Sequence, residues 1–216
     1  MLFRNLKYSI AVMFTIFAQH FAQAASLSIE FSDESGKPVA NVVAALISVN
    51  KISYAEKAKG VMDQRNNAFV PGVLAVRVNT LVYFPNGDDI RHQVYSFSPA
   101  KRFELRLYHG LTAEPVLFDK PGQVILGCNI HDSMLGYIYV VDSEHFAVSD
   151  VKGVLTIKDI PAGNYTLELQ HPKLETPQPE TKLTFTADQT LHQKITVKGF
   201  AEEKKEDAGS LNSLFK

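Results

Sequence analysis

The sequence predicts an all-β protein, and three observations carry the prediction. Apolar residues recur with a period of two through most of the chain. Turn dipeptides (Ser35-Gly36, Asn86-Gly87, Pro121-Gly122, Lys152-Gly153, Ala162-Gly163) separate these runs. Helical composition is confined to residues 53–59, a stretch short enough to be a connector. Spacing of this kind suits a β-sandwich.

In chain order, residues 1–24 come first. Arg4 and Lys7 precede an apolar run from Tyr8 to Ala18, and Ala22-Gln23-Ala24 follows. That is the pattern of a secretory signal, and the run is too short to span a bilayer comfortably. Cleavage after Ala24 would leave 192 of the 216 residues. Loss of Arg4 and Lys7 would move the formal net charge from −1 to −3. A net acidic chain of this kind is a poor nucleic-acid binder, since that affinity rests on basic residues meeting phosphates.

Residues 27–46 read as a strand, an Asp/Gly turn, then Pro38 and a second strand. Val76 and Val78 lead into Leu81 to Phe84; Phe103, Leu105 and Leu107 alternate with Glu104, Arg106 and Tyr108. Val124, Leu126 and Cys128 share one strand face, and Ile138 and Val140 share another. Leu155 with Ile157, Tyr165 with Leu167 and Leu169, Leu183 with Phe185, and Ile195 with Val197 continue the alternation. Residues 201–216 carry mixed charge and small polar residues, the composition of a disordered tail.

The cysteine count is more telling than the length. A lone cysteine, Cys128, in an exported chain cannot form an internal disulfide and needs another reason to be there. Its neighbours supply one: Cys128, His131 and Met134 recur every third residue between two strands, and His92 lies upstream after a strand and turn. A thiolate, two imidazoles and a thioether form the donor set of a copper ion that cycles between Cu(I) and Cu(II), with the thioether as weak axial ligand. Structural zinc sites rarely use a thioether. A binuclear copper centre would need a second cysteine, and no His-x-His pair offers the extra ligands of a copper oxidase. A cysteine nucleophile based on Cys128 and His131 would lack a helix N-terminus and leave His92 and Met134 unexplained.

The segment Cys128-x2-His131-x2-Met134, preceded by Pro121-Gly122-x-Val124 and followed by Gly136-x-Ile138-x-Val140, resembles the ligand loop of the blue, type-1 copper proteins (cupredoxins). Its spacing is similar to the short form of amicyanin. Upstream, Phe69-x-Pro71, Leu74-x-Val76-x-Val78-Asn79, Val82-x-Phe84-x-Asn86 and His92-Gln93-Val94 resemble the same family. The whole chain is similar to bacterial periplasmic plastocyanin-like proteins, also labelled methylamine-utilisation proteins, although no residue here specifies an amine. The resemblance implies a cupredoxin Greek-key sandwich over residues 60–143, with one copper ion on His92, Cys128, His131 and Met134. Residues 149–169 resemble the second half of a transthyretin-like or carboxypeptidase-regulatory sandwich, and residues 27–46 resemble its first half. The expected architecture is therefore one sandwich of residues 25–50 plus 147–200, with the copper domain inserted in it or packed beside it.

The family places Asn after the first histidine to tie the two ligand loops together; Gln93 stands there, with Asn129 as its candidate partner. His131 is expected nearest the surface as electron port, rimmed by Ile130 and Leu135. His109, His145 and His192 are expected to face solvent. The function expected is a periplasmic single-electron carrier, not an enzyme, that meets redox partner proteins transiently. It would bind no nucleic acid and have no stable membrane insertion after signal cleavage. Copper delivery, or a partner-docking module with structural copper, is the alternative.

Overall fold

Alternation along residues 25–32 dictates the first element of the computed structural model, which describes residues 24–50, 53–54, 56–110, 114–174 and 178–198. The expected signal sequence, save Ala24, and the expected tail at 201–216 lie outside the described residues. All regular structure among the described residues is strand, so the all-β class holds.

Strands β1 (Ala25–Ser32) and β2 (Val43–Ser48) come first. Then follow β3 (Ala58–Val61), β4 (Asp63–Arg65), β5 (Ala68–Val70), β6 (Val73–Arg77), β7 (Thr80–Tyr83), β8 (His92–Ser98) and β9 (Lys101–Tyr108). Next are β10 (Val116–Phe118), β11 (Gly122–Cys128) and β12 (His131–Val141). The last are β13 (Phe146–Val148), β14 (Val154–Ile160), β15 (Gly163–Gln170), β16 (Thr181–Phe185) and β17 (Gln189–Lys194).

In β1, Ala25, Leu27, Ile29 and Phe31 are buried while the residues between them face outward. The sheet β14-β1-β17 packs with the sheet β13-β2-β15-β16 around one apolar cluster that includes Leu27, Ile29, Leu46, Leu167 and Phe185. Each such side chain contributes about 1.5–3 kcal/mol on burial. The chain leaves these sheets after β2 and returns to them at β13.

Between those points it builds the sheets β6-β12-β11-β8-β9 and β10-β7-β3, with the hairpin β4-β5 beside them. Their shared cluster includes Phe69, Val82, Phe84, Phe118, Leu126 and Ile138, together with Cys128 and Met134. A third cluster joins the two regions: Val43 and Ala45 of β2 pack with Val73 of β6 and with Tyr139 and Val141 of β12. Both faces of β12 are thus used, since Ile138 and Val140 point to one cluster and Tyr139 and Val141 to the other.

Of the described residues in 53–59, Ser53, Tyr54, Glu56 and Lys57 carry no helix or strand, as a connector would, while Ala58 and Lys59 open a strand. Ala58 to Val61 form β3, parallel to β7 with Ala58 opposite Thr80 and Val61 opposite Tyr83. Sheet pairing outweighs the weak helical preference of so short a stretch.

Candidate metal centre

The centre is built where β11 turns into β12. The sequence suggests strands over residues 123–127 and 137–141 with the ligand types on the loop between them. The strands instead run on through Cys128 and from His131, leaving only Asn129 and Ile130 as the turn. Cys128 and His131 are direct cross-strand partners, and the register then shifts so that Gly127 faces Leu135. Residues 132–134 bulge out of the ladder, and a bulge of this kind re-aims side chains. Met134 is thereby turned inward, 1% exposed, into the cluster that holds Cys128.

Gly127 is fixed by its neighbour. A Cβ there would come within 2.7 Å of the Tyr95 ring, so any larger residue would have to push that ring aside. Gly136 has the same role under Phe69, whose ring atoms would lie 2.8 Å from an added Cβ.

His92 opens β8 and is fully buried. The loop before it is organised by Asn86, whose Nδ2 donates to the carbonyls of Ile90 (2.8 Å) and Tyr108 (2.9 Å). Asn86 Oδ1 accepts the amide of Asp88 at 3.0 Å. These bonds return the chain so that His92 faces Cys128. The Nδ1 atoms of His92 and His131 lie 3.7 and 4.0 Å from Cys128 Sγ. The two rings are 5.0 Å apart, and the donor atoms of the three residues all lie within 4.8 Å of one another.

Those distances fit a metal. Metal–nitrogen and metal–sulfur bonds of about 2.0 and 2.3 Å, set about 120° apart, separate the donor atoms by about 3.7 Å.

Behind His92 lies a buried polar layer. Gln64, fully buried, donates through Nε2 to Pro85 O at 3.1 Å and to the Tyr108 hydroxyl. Tyr108 donates in turn to Phe84 O at 2.6 Å. Burial pushes the Tyr108 phenol up to about 12, and the charges of Asp63 and Cys128 act in the same sense against the Gln64 bond. The phenol therefore stays protonated and remains a fixed donor. On the other side, His92 Nε2 meets Asp88 Oδ2 at 2.8 Å. Burial opposes ionisation of Asp88, but bonds from the Asn67 amide, the His92 ring and the Asn66 amide outweigh it, and its carboxyl sits below the ordinary value.

The structure brings His92, Cys128 and His131 together and buries Met134 near them. His131 is half-buried, while Ile130 and Leu135 are 49% and 54% exposed beside it. The expected cross-loop tie is absent. Strand alternation turns Gln93 away from His92, and its Nε2 donates to Glu104 of β9 at 2.7 Å rather than to Asn129. His109 and His192 are exposed as expected, His192 pairing with Glu30 at 3.0 Å. His145 is not: it is half-buried, edge-on to Tyr165. Sequence reasoning missed Asp88 and Gln64. The spacing of Asp88 four residues before His92 was visible, but its partners come from a distant hairpin.

No protein-family model and no curated relative matches the chain. Among solved structures, a reduced amicyanin variant is 22% identical over 45% of this chain and 98% of its own, with a TM-score of 0.35. A copper-containing nitrite reductase from Thermus scotoductus is 24% identical over 52% of this chain and 28% of its own, at 0.37. A purple cupredoxin from Nitrosopumilus maritimus is 21% identical over 39% of this chain and 99% of its own, at 0.31. By its donor types and spacing alone, the cluster of His92, Cys128 and His131 fits a type-1 copper site.

Proposed function

We propose that this protein is an exported, periplasmic single-electron carrier that holds one type-1 copper ion on His92, Cys128, His131 and Met134. The observation that supports it most is the convergence of two imidazole Nδ1 atoms on one buried thiol, at separations that a metal ion between them accommodates. Copper bound there would supply the Cu(I)/Cu(II) couple. The chain's own contribution is rigidity. His92 is tied to β8, Cys128 to β11, and His131 and Met134 to β12, all in one sheet. Ligands held this way move little when the charge of the ion changes, which suits repeated transfer.

The exposed side chains of Ile130 and Leu135 beside half-buried His131 suit brief docking of a redox protein. Leu135 continues into a groove of 420 Å³ also lined by Tyr95, Phe97 and Ile125. The sheets formed by β1, β2 and β13–β17 we read as a discontinuous carboxypeptidase-regulatory-like unit that scaffolds the carrier. The leader-like composition of residues 1–24 supports export.

Adding Cu(II) to the purified protein tests the proposal. An intense blue thiolate-to-copper band, absent in Cys128→Ser, is expected, with reversible voltammetry. A colourless protein would overturn the type-1 reading. One that takes up Cu(I) alone, with no reversible couple, would be a delivery protein instead.

A further inference from the structure

The Asp88 carboxylate lies between the His92 ring and a hairpin turn more than twenty residues upstream. Its Oδ1 accepts the Asn66 amide at 2.6 Å, and its Oδ2 accepts the Asn67 amide at 3.0 Å and faces His92 Nε2 at 2.8 Å. Asn66 and Asn67 form the two-residue turn of the β4-β5 hairpin, both with left-handed φ of 53° and 57°. Paired positive φ is what a type I′ hairpin turn requires. The Asp88 side chain is 14% exposed, and its backbone amide is held by Asn86.

An ionised carboxylate can only accept hydrogen bonds, so His92 Nε2 must carry the hydrogen. In the neutral ring, which is the form that can ligate, that leaves the Nδ1 lone pair toward Cys128. Outer partners of this kind fix the tautomer of a ligating imidazole and strengthen it as a donor. We infer that Asp88 is a positioning residue of the metal centre: clamped by the hairpin-turn amides, it locks His92 as an Nδ1 donor and biases the site toward Cu(II). The metal half of this inference rests on the copper reading above; the tautomer half does not.

Asparagine cannot replace the carboxylate without loss. Three N–H groups converge on two acceptor oxygens. An amide turns one of those oxygens into a donor, so at least one of the three bonds must break. Either His92 loses its anchor or the hairpin loses its clamp.

The test begins without copper. In the ¹⁵N-labelled apo-protein, the His92 ring should show the Nε2–H tautomer with a slowly exchanging proton. An Nδ1–H tautomer, or a rapidly exchanging mixture, would overturn the inference, and this measurement needs no variant to fold. In Asp88→Asn the tautomers should mix. The dissociation constant for Cu(II) should rise about 10–100-fold, as for other outer partners of metal ligands. Cu(I) affinity should fall less, so the reduction potential should rise. Asp88→Glu, which keeps the charge, should recover part of the shift. A folded Asp88→Asn protein with unchanged potential and Cu(II) affinity would sink the metal half. Wild-type protein that never turns blue would instead sink the copper reading and leave the tautomer result standing.

Discussion

The two large apolar clusters are made by the same strand alternation but differ in what they admit. The cluster of β1, β2 and β14–β16 contains Ala, Val, Leu, Ile, Phe and Tyr and no sulfur, and the buried polar side chains beside it are Ser143 and Ser149, both bonded to backbone. The other contains Met62, Cys128 and Met134, and buried His92, Gln64, Asn86, Thr80 and Ser96 belong to the same sheets and their loops. Burying a polar group costs free energy unless it is bonded, and a core that accepts several is organised for something besides stability. The apolar cluster shows what this chain does when only packing is at stake. The contrast therefore marks β8, β11 and β12 as the working end.

The contrast can be broken most sharply at Cys128. In Cys128→Ser the charge-transfer band should vanish, while the fold survives with a loss of about 1–3 kcal/mol for a buried hydroxyl. Visible spectroscopy and urea titration together read both. Phe185→Ala in the apolar cluster should do the reverse. It should cost about 3–5 kcal/mol and leave the spectrum of the folded fraction unchanged. A spectral change there would mean that the regions are not separable. Gly127→Ala sits on the boundary of packing and chemistry. Its Cβ must displace the Tyr95 ring, with an expected cost of about 1–3 kcal/mol and a shift in the copper band.

The smallest effect is expected from His171. Burial holds its pKa below the ordinary value, against the bond to the Ala40 backbone and with help from Lys173. The unfolded chain then takes up a proton more readily than the folded one. Stability should be fully present above the ordinary pKa and decline as pH falls through about 6.5 toward the depressed folded value. The urea midpoint should show this slope in the wild type and less of it in His171→Gln. A slope unaltered by that substitution would assign the titration elsewhere.

How much of this was legible beforehand follows from distance along the chain. The strands were legible because alternation is local, and Leu27, Ile29 and Phe31 face inward as their spacing requires. Cys128, His131 and Met134 were legible as a group because seven residues contain them all. The strand at Ala58–Val61 was not, since its partner β7 begins about twenty residues later and local composition points the other way. Gln93 was read as a tie between loops because it follows a ligand, yet strand alternation alone would have placed it on the opposite face. Asp88 needed the β4-β5 turn, and no local pattern announces a contact between a hairpin tip and a histidine.

The two-residue turn at Asn129–Ile130 has a consequence for how this centre can vary. Because Cys128 and His131 oppose each other across that turn, their spacing is set by hairpin register and not by loop slack. Side chains on a strand alternate faces, so inserting or deleting a single residue before His131 would turn its ring to the opposite side. Lengths at this point are therefore discrete, and the centre can be retuned by changing what stands at positions 129 and 130 far more readily than by changing how many residues stand there.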